Sequence, residues 1–271
     1  MLTAGSVWTL ELLPYVEPLL TRSQQPDNLC GPYWIALLLQ AFAGISVSAV
    51  EVAIAASTLL PDRGGPWVPP GARSVQGNAY ETIPTVSALD RCGTSVMGLM
   101  IATEQLSQGR FCLLPLRTDD WEAGTARLWS MCQAYPEWQV VPLLNCHTAY
   151  LWGARLSPAA LFSYLQTGKL PAPSADWSVG HFALLVGQMV GQAASLYAVL
   201  DTYLQFGWTG LHLQPGAAIA QSLDRPDHPT EGGLALFCAS SLRPQVEQQT
   251  TAMGFSTATW DNGTPAPARL L

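Results

Sequence analysis

The chain has 271 residues, 49% of them apolar and 11% charged, with a net charge of −7. Such a composition supports a sizeable core and excludes a disordered chain, and the length suits one elaborated domain or a compact core with an insertion. The twelve basic residues never cluster, so neither nucleic acid nor an anionic membrane is an expected partner.

The N-terminal stretch Met1 to Ser6 lacks the basic patch of a secretory signal, and Glu11, Pro14 and Glu17 interrupt the apolar run behind it. No segment reaches the roughly eighteen uninterrupted apolar residues of a membrane span. A cytoplasmic location is the expectation. Six cysteines (Cys30, Cys92, Cys112, Cys132, Cys146, Cys238) are widely spaced and mostly flanked by apolar residues, as buried small hydrophobes are. None is paired in Cys-x-x-Cys spacing, so no metal site is implied.

In chain order, residues 30–43 read as a helix apolar on nearly every face and therefore buried, with Pro32 in its first turn and Gly44 as its stop. A second helix is predicted from Ser46 to Leu60, ended by Pro61. The Gly- and Pro-rich stretch 61–84 reads as a long irregular loop, and 62–84 could form a lid carrying Trp67 and Tyr80. Residues 111–116 and 139–144 look like short strands around an amphipathic helix at 119–133. A helix at 158–166 stops near Gly168. Apolar runs at 182–187, 196–200, 210–213 and 233–239 are strands separated by turns. Residues 252–271 read as a loosely ordered tail.

The chemistry lies in widely separated residues. Cys30 opens the buried helix, where the positive helix end favours a thiolate. His181, leading one strand, could take the thiol proton and return it to a leaving group. Asp201, closing the next strand, could bond the other ring nitrogen, and an antiparallel pairing of the two strands would put His181 and Asp201 at one sheet end. A side-chain amide and the Cys30 backbone N–H could stabilise an oxyanion, with Gln24, six residues before Cys30, as the candidate amide. Trp177, Trp67 and Gly180 are candidate substrate contacts.

The set Gln24-x5-Cys30-Gly31-Pro32, Gly180-His181-Phe182 and Asp201 resembles the papain-like cysteine peptidases, closest to the C39-like branch of double-glycine leader peptidases and their soluble relatives. The resemblance covers residues 24–44 and 178–205. It implies an α+β fold: a papain-like, N-terminal catalytic helix packed on an antiparallel sheet, with Cys30 as nucleophile, His181 as base, Asp201 as orienter and Gln24 as oxyanion donor. Two features depart from the family pattern. The interval from Cys30 to His181 is 151 residues, which implies a large helical and loop insertion at 60–150, and Thr202 stands where the family usually has Pro.

Other residues have plainer readings. Cys146 and His147 are adjacent on a strand and point apart, so they cannot pair, although His147 could line a cleft. His212 alternates with leucines as a sheet residue, and His228 sits in a surface loop. Asp27 and Asn28 shape the turn before the helix. The expected activity is peptide or amide hydrolysis through a Cys30 thioester, with no metal or organic cofactor, on a peptide or small amide substrate. The alternatives are an acyl or peptidyl transferase or ligase with the same site, or a non-catalytic binding protein on this scaffold. The oligomeric state is left open.

Overall fold

The structure, a computed structural model, describes residues 8–62, 67–152, 157–169, 177–225, 232–260, 262–264 and 266. In chain order the elements are β1 (Leu10–Leu12), α1 (Glu17–Leu20), α2 (Cys30–Ala43), α3 (Ala49–Ala55), β2 (Leu60–Pro61), α4 (Ala79–Thr82), β3 (Thr85–Val86), α5 (Val96–Ser107) and β4 (Phe111–Leu116). There follow α6 (Trp121–Ala134), β5 (Val141–His147), α7 (Pro158–Thr167), β6 (Gly180–Val190), β7 (Ser195–Leu200), β8 (Leu211–Pro215), α8 (Gly216–Asp224), β9 (Gly233–Ala239) and α9 (Arg243–Ala252).

The architecture is mixed α/β around a seven-stranded sheet, six strands in the order β4-β9-β5-β6-β7-β8 and β1 added beside β6, with every pairing antiparallel. β6 is the spine. Its first half pairs with β5 and its second half with β1, while β7 runs along its other edge. Its run Phe182 to Val186 is buried, as expected of a central strand flanked by helices. The helix α2 packs on β6, α3 and α5, whereas α8, backed by α6, packs along β5, β7, β8 and β9.

α2 occupies the span that its apolar pattern predicts. Gly44 ends it in the left-handed region (φ 65), donating its N–H to Leu39 O. Gly31 lets the first turn approach the sheet: a Cβ there would stand 2.9 Å from a Leu99 methyl carbon and 3.1 Å from the Phe182 ring. Trp34 then anchors the helix by donating its indole N–H to Phe182 O at 3.0 Å.

The second helix is shorter than the expected 46–60. Ser48 and Glu51 form a capping box that fixes its start at Ala49. Ser57 turns left-handed (φ 56) and ends it, and Leu59 instead bridges Gly93. β5 lies two to three residues later than expected, because Gln139 caps a 3₁₀ turn in the left-handed region. Asn145, Cys146 and His147 are therefore strand residues.

The stretch 60–150 supplies β4, α6 and β5 to the main structure, with β5 between β9 and β6 in the sheet. Near the C-terminus, Trp260 is buried and donates its indole N–H to Leu234 O at 3.1 Å, and Asn262 Nδ2 donates to Thr94 O at 2.8 Å. The described part of 252–271 thus docks on the body, where composition alone suggests a loose tail. Among the described residues no helix is long and apolar enough to cross a membrane.

Candidate functional site

Cys30 is the first residue of α2 and is partly exposed. The first-turn N–H groups of a helix have no partner within it, and they give this end its positive potential. Pro32 sits among them without breaking a bond, since its missing N–H belongs to that unpaired set.

Opposite stands His181, the second residue of β6, buried together with Asp201 at the end of β7. Its Nε2 lies 3.1 Å from both carboxylate oxygens of Asp201. His181 borders one cleft with Cys30, whose thiol favours the charged form of the ring. With Nε2 on the carboxylate, Nδ1 is the nitrogen left for the thiol. Burial, the largest influence, disfavours charge on this ring. The Asp201 carboxylate, the Cys30 thiol and hydrogen bonds to both outweigh it and carry His181 up to about 10. Burial likewise opposes the Asp201 anion, but His181, and after it His212, hold it well below the usual carboxylate range.

Further residues fix the Asp201 turn. Oδ1 accepts the Tyr203 backbone N–H at 2.8 Å. Arg22, buried, donates to Asp201 O through Nε at 2.7 Å and through Nη2, and to Thr209 O at 3.2 Å. Its guanidinium also lies 5.6 Å over the Trp34 ring, so Arg22 ties the segment before Cys30 to α2 and to the Asp201 backbone carbonyl. Gly210 is required there: its φ is 85°, and a Cβ would meet Arg22 Nη2 at 2.1 Å.

His212 approaches Asp201 from the other side, with Nε2 3.7 Å from Oδ2. Its tautomer follows from Gln214. The Gln214 Oε1 accepts the Trp152 N–H at 2.7 Å, which orients the amide; Nε2 then donates to Trp152 O and to His212 Nδ1, both at 2.9 Å. His212 Nδ1 is an acceptor, so the ring hydrogen sits on Nε2 and faces the carboxylate.

Gln24 does not border the cleft: its Nε2 donates to Arg73 O at 2.6 Å, and its Oε1 accepts from Gln205. Gln25 instead is buried and lines the cleft. Its backbone N–H donates to Thr202 O, its Nε2 donates to the Tyr203 hydroxyl at 3.2 Å, and its Oε1 has no partner. Two adjacent glutamines cannot be separated by spacing, because the turn before α2, with Asn28 in the left-handed region (φ 63), decides which faces inward. Asp27 shapes that turn as expected and also clamps the following loop: Oδ2 accepts the Ser74 hydroxyl at 2.6 Å and the Val75 N–H at 3.0 Å.

The cleft has a volume of about 430 Å³, and Cys30, His181, Gly180, Trp177 and Trp67 all border it. The Trp177 ring lies 4.9 Å from His181 and 5.5 Å from Tyr203, and its Nε1 donates to Trp67 O at 3.3 Å. His147, at the end of β5, packs 5.4 Å from Tyr150 and does not border the cleft. His228 lies outside the described residues. Nothing local in the sequence points to Arg22, Tyr203 or the second imidazole at Asp201 as parts of this site. Only Gln25, through its adjacency to Gln24, left a trace in the pattern.

Fold and site together define a mixed α/β protein with an antiparallel sheet, whose cleft is bordered by a partly exposed cysteine and by a histidine paired with a buried aspartate. Residues 14–261 match the family described as a family of unknown function (DUF6885), and the chain belongs to that family. No curated protein matches the chain. Among solved structures, a Bacillus anthracis protein provisionally assigned as a C39-like peptidase aligns with a TM-score of 0.44 and 14% identity, over 86% of this chain and 98% of its own. A likeness of that degree carries no argument about activity.

Proposed function

We propose that this protein is a cysteine-dependent acyl-transfer enzyme of papain-like, C39-like type, most simply a peptidase or amide hydrolase. The observation that carries the reading is His181, bonded to Asp201 and bordering one cleft with Cys30. In this mechanism His181 holds the thiol proton as an imidazolium, and the Cys30 sulfur adds to the amide carbon. The oxyanion is stabilised by the Cys30 backbone N–H and the Gln25 side-chain amide, a role that moves here from Gln24. Collapse breaks the C–N bond, and His181 protonates the departing amine. Water, deprotonated by His181, then releases the acid and restores the thiol. Asp201 holds the ring and stabilises its charge. Trp177, packed on the imidazole, shields it, and Trp67 and Gly180 form the neighbouring substrate walls.

Turnover of a panel of peptide amides is the test. Cys30→Ala should abolish it while leaving the circular dichroism spectrum and thermal midpoint nearly unchanged. Retained turnover would sink the mechanism.

A further inference from the structure

Two buried thiols take no part in the acyl-transfer chemistry, yet the fold holds them against each other. Cys112 is the second residue of β4 and Cys238 the penultimate residue of β9. The antiparallel register sets them directly opposite each other, although they stand 126 residues apart in the chain. Both are free thiols, 1% exposed, and their sulfur atoms lie 3.7 Å apart. Directly opposed side chains share one face of the sheet. Their Cα atoms are about 4.5 or 5.5 Å apart, and either spacing lies within the roughly 4.4–6.8 Å that a disulfide spans. Strand register and side-chain direction therefore already suit a covalent bond.

The surroundings set this pair apart from the other buried thiols. Cys132 and Cys146 are equally buried, and burial pushes each of them up to about 12. At Cys112 the hydrogen bond from the Cys238 thiol outweighs burial and, with smaller help from Ser240 and Arg243, brings it down to about 7, whereas Cys238 is held up by that same bond and by burial. One sulfur is thus available as a thiolate near neutral pH while its neighbour keeps the proton. The pair also lies close to the outside. β4 is an edge strand of the described sheet, and the next pair toward its start, Phe111 with Ala239, is partly exposed. A small oxidant has only that last pair to pass.

We propose that Cys112 and Cys238 form a redox-sensitive dithiol, which hydrogen peroxide converts into a cross-strand disulfide that fastens β4 to β9. The Cys112 thiolate attacks one peroxide oxygen and breaks the O–O bond, giving a sulfenic acid. The hydroxide released takes up the proton that the Cys112 thiol had lost and becomes water. The Cys238 sulfur then attacks the Cys112 sulfur, and the S–O bond breaks as the hydroxyl leaves with the Cys238 proton as a second water. Two thiols lose two electrons in all, and one peroxide is reduced to two waters. The bond ties together residues 126 apart and so constrains the unfolded chain. Neither sulfur borders the cleft, and Cys30 lies outside the closed loop, so the device acts on the scaffold and is independent of the acyl-transfer reading.

The test uses the full chain carrying Cys30→Ala, so that the proposed nucleophile does not compete for the oxidant. Reduced protein is treated with a series of hydrogen peroxide concentrations, denatured with an alkylating agent present, and digested without reduction for peptide mass spectrometry. A peptide pair linking Cys112 to Cys238, two hydrogens lighter than the two thiol peptides together, should form at concentrations that leave Cys132 and Cys146 alkylated as thiols. Dithiothreitol should restore both thiols, and the linked form should unfold at higher urea than the reduced form. Recovery of Cys112 and Cys238 as thiols at every concentration that spares Cys132 and Cys146 would overturn the proposal. So would linkage of either to a different cysteine, sulfinic acid at Cys112 with no linked peptide, or a urea midpoint no higher after linkage. The mapping needs no substitution in the pair, and its outcome does not depend on whether the protein cleaves amides.

Discussion

At the scale of single residues, the site depends on which of two neighbouring side chains turns inward. Gln24 and Gln25 have the same chemistry, but Gln24 holds Arg73 O at the surface whereas Gln25 is buried against Tyr203 at the cleft. Gln25→Ala should therefore lower kcat by about a hundredfold, the usual cost of losing one oxyanion donor. Gln24→Ala should change it less than about threefold. Steady-state kinetics of the pair check the assignment, and the opposite ranking would return the role to Gln24. Cys30, His181 and Asp201 were legible because each stands at an element boundary that its flanking pattern reveals. Arg22 and His212 were not, because their contacts depend on the β7–β8 register and on Gly210, which nothing local announces.

At the scale of elements, the apolar runs of α2, β4, β6, β7, β8 and β9 were legible to within a few residues, because burial on both sides imposes continuous hydrophobicity. Boundaries failed where a cap or a left-handed residue intervened. Ser48 shortened α3 at its start, and Gln139 pushed β5 along so that Asn145 entered the sheet. The turn before α2 and the loop at 74–75 form one unit through Asp27, whose Oδ2 accepts two hydrogen bonds from that loop. Asp27→Ala leaves the Ser74 hydroxyl and the Val75 N–H without their acceptor and should cost about 1–3 kcal/mol. Urea unfolding measures that loss, and limited proteolysis should show new cleavage between residues 67 and 78. An unchanged digestion pattern would mean that Asp27 does not hold the loop.

At the scale of the whole molecule, the buried His181–Asp201 pair links stability to pH. The folded His181 value is raised to about 10 from an ordinary value of about 6.5, so its contribution is complete below about pH 6.5 and is lost as pH rises toward 10. Asp201 is shifted downward, so its contribution is present above its ordinary value of about 3.9 and is lost only in stronger acid. The stability advantage of wild type over His181→Phe should therefore shrink steadily between pH 6.5 and 10 in urea denaturation. An advantage that grew across that range would contradict a charged, paired imidazole.

The same pair underlies the central claim, that Cys30 is an activated nucleophile. Only two cysteines are partly exposed, Cys30 and Cys92; the other four are buried. Burial and the neighbouring Asp62 and Asp90 raise Cys92, which slows its thiol chemistry, so exposure and activation predict different labelling. The most direct measurement is therefore brief iodoacetamide treatment near neutral pH, with the modified residue located by peptide mass spectrometry. The account predicts that Cys30 is labelled first and that His181→Ala slows it to the rate of Cys92 or below. Labelling of Cys92 as fast as Cys30 in the wild type, or a Cys30 rate unchanged by His181→Ala, would contradict it.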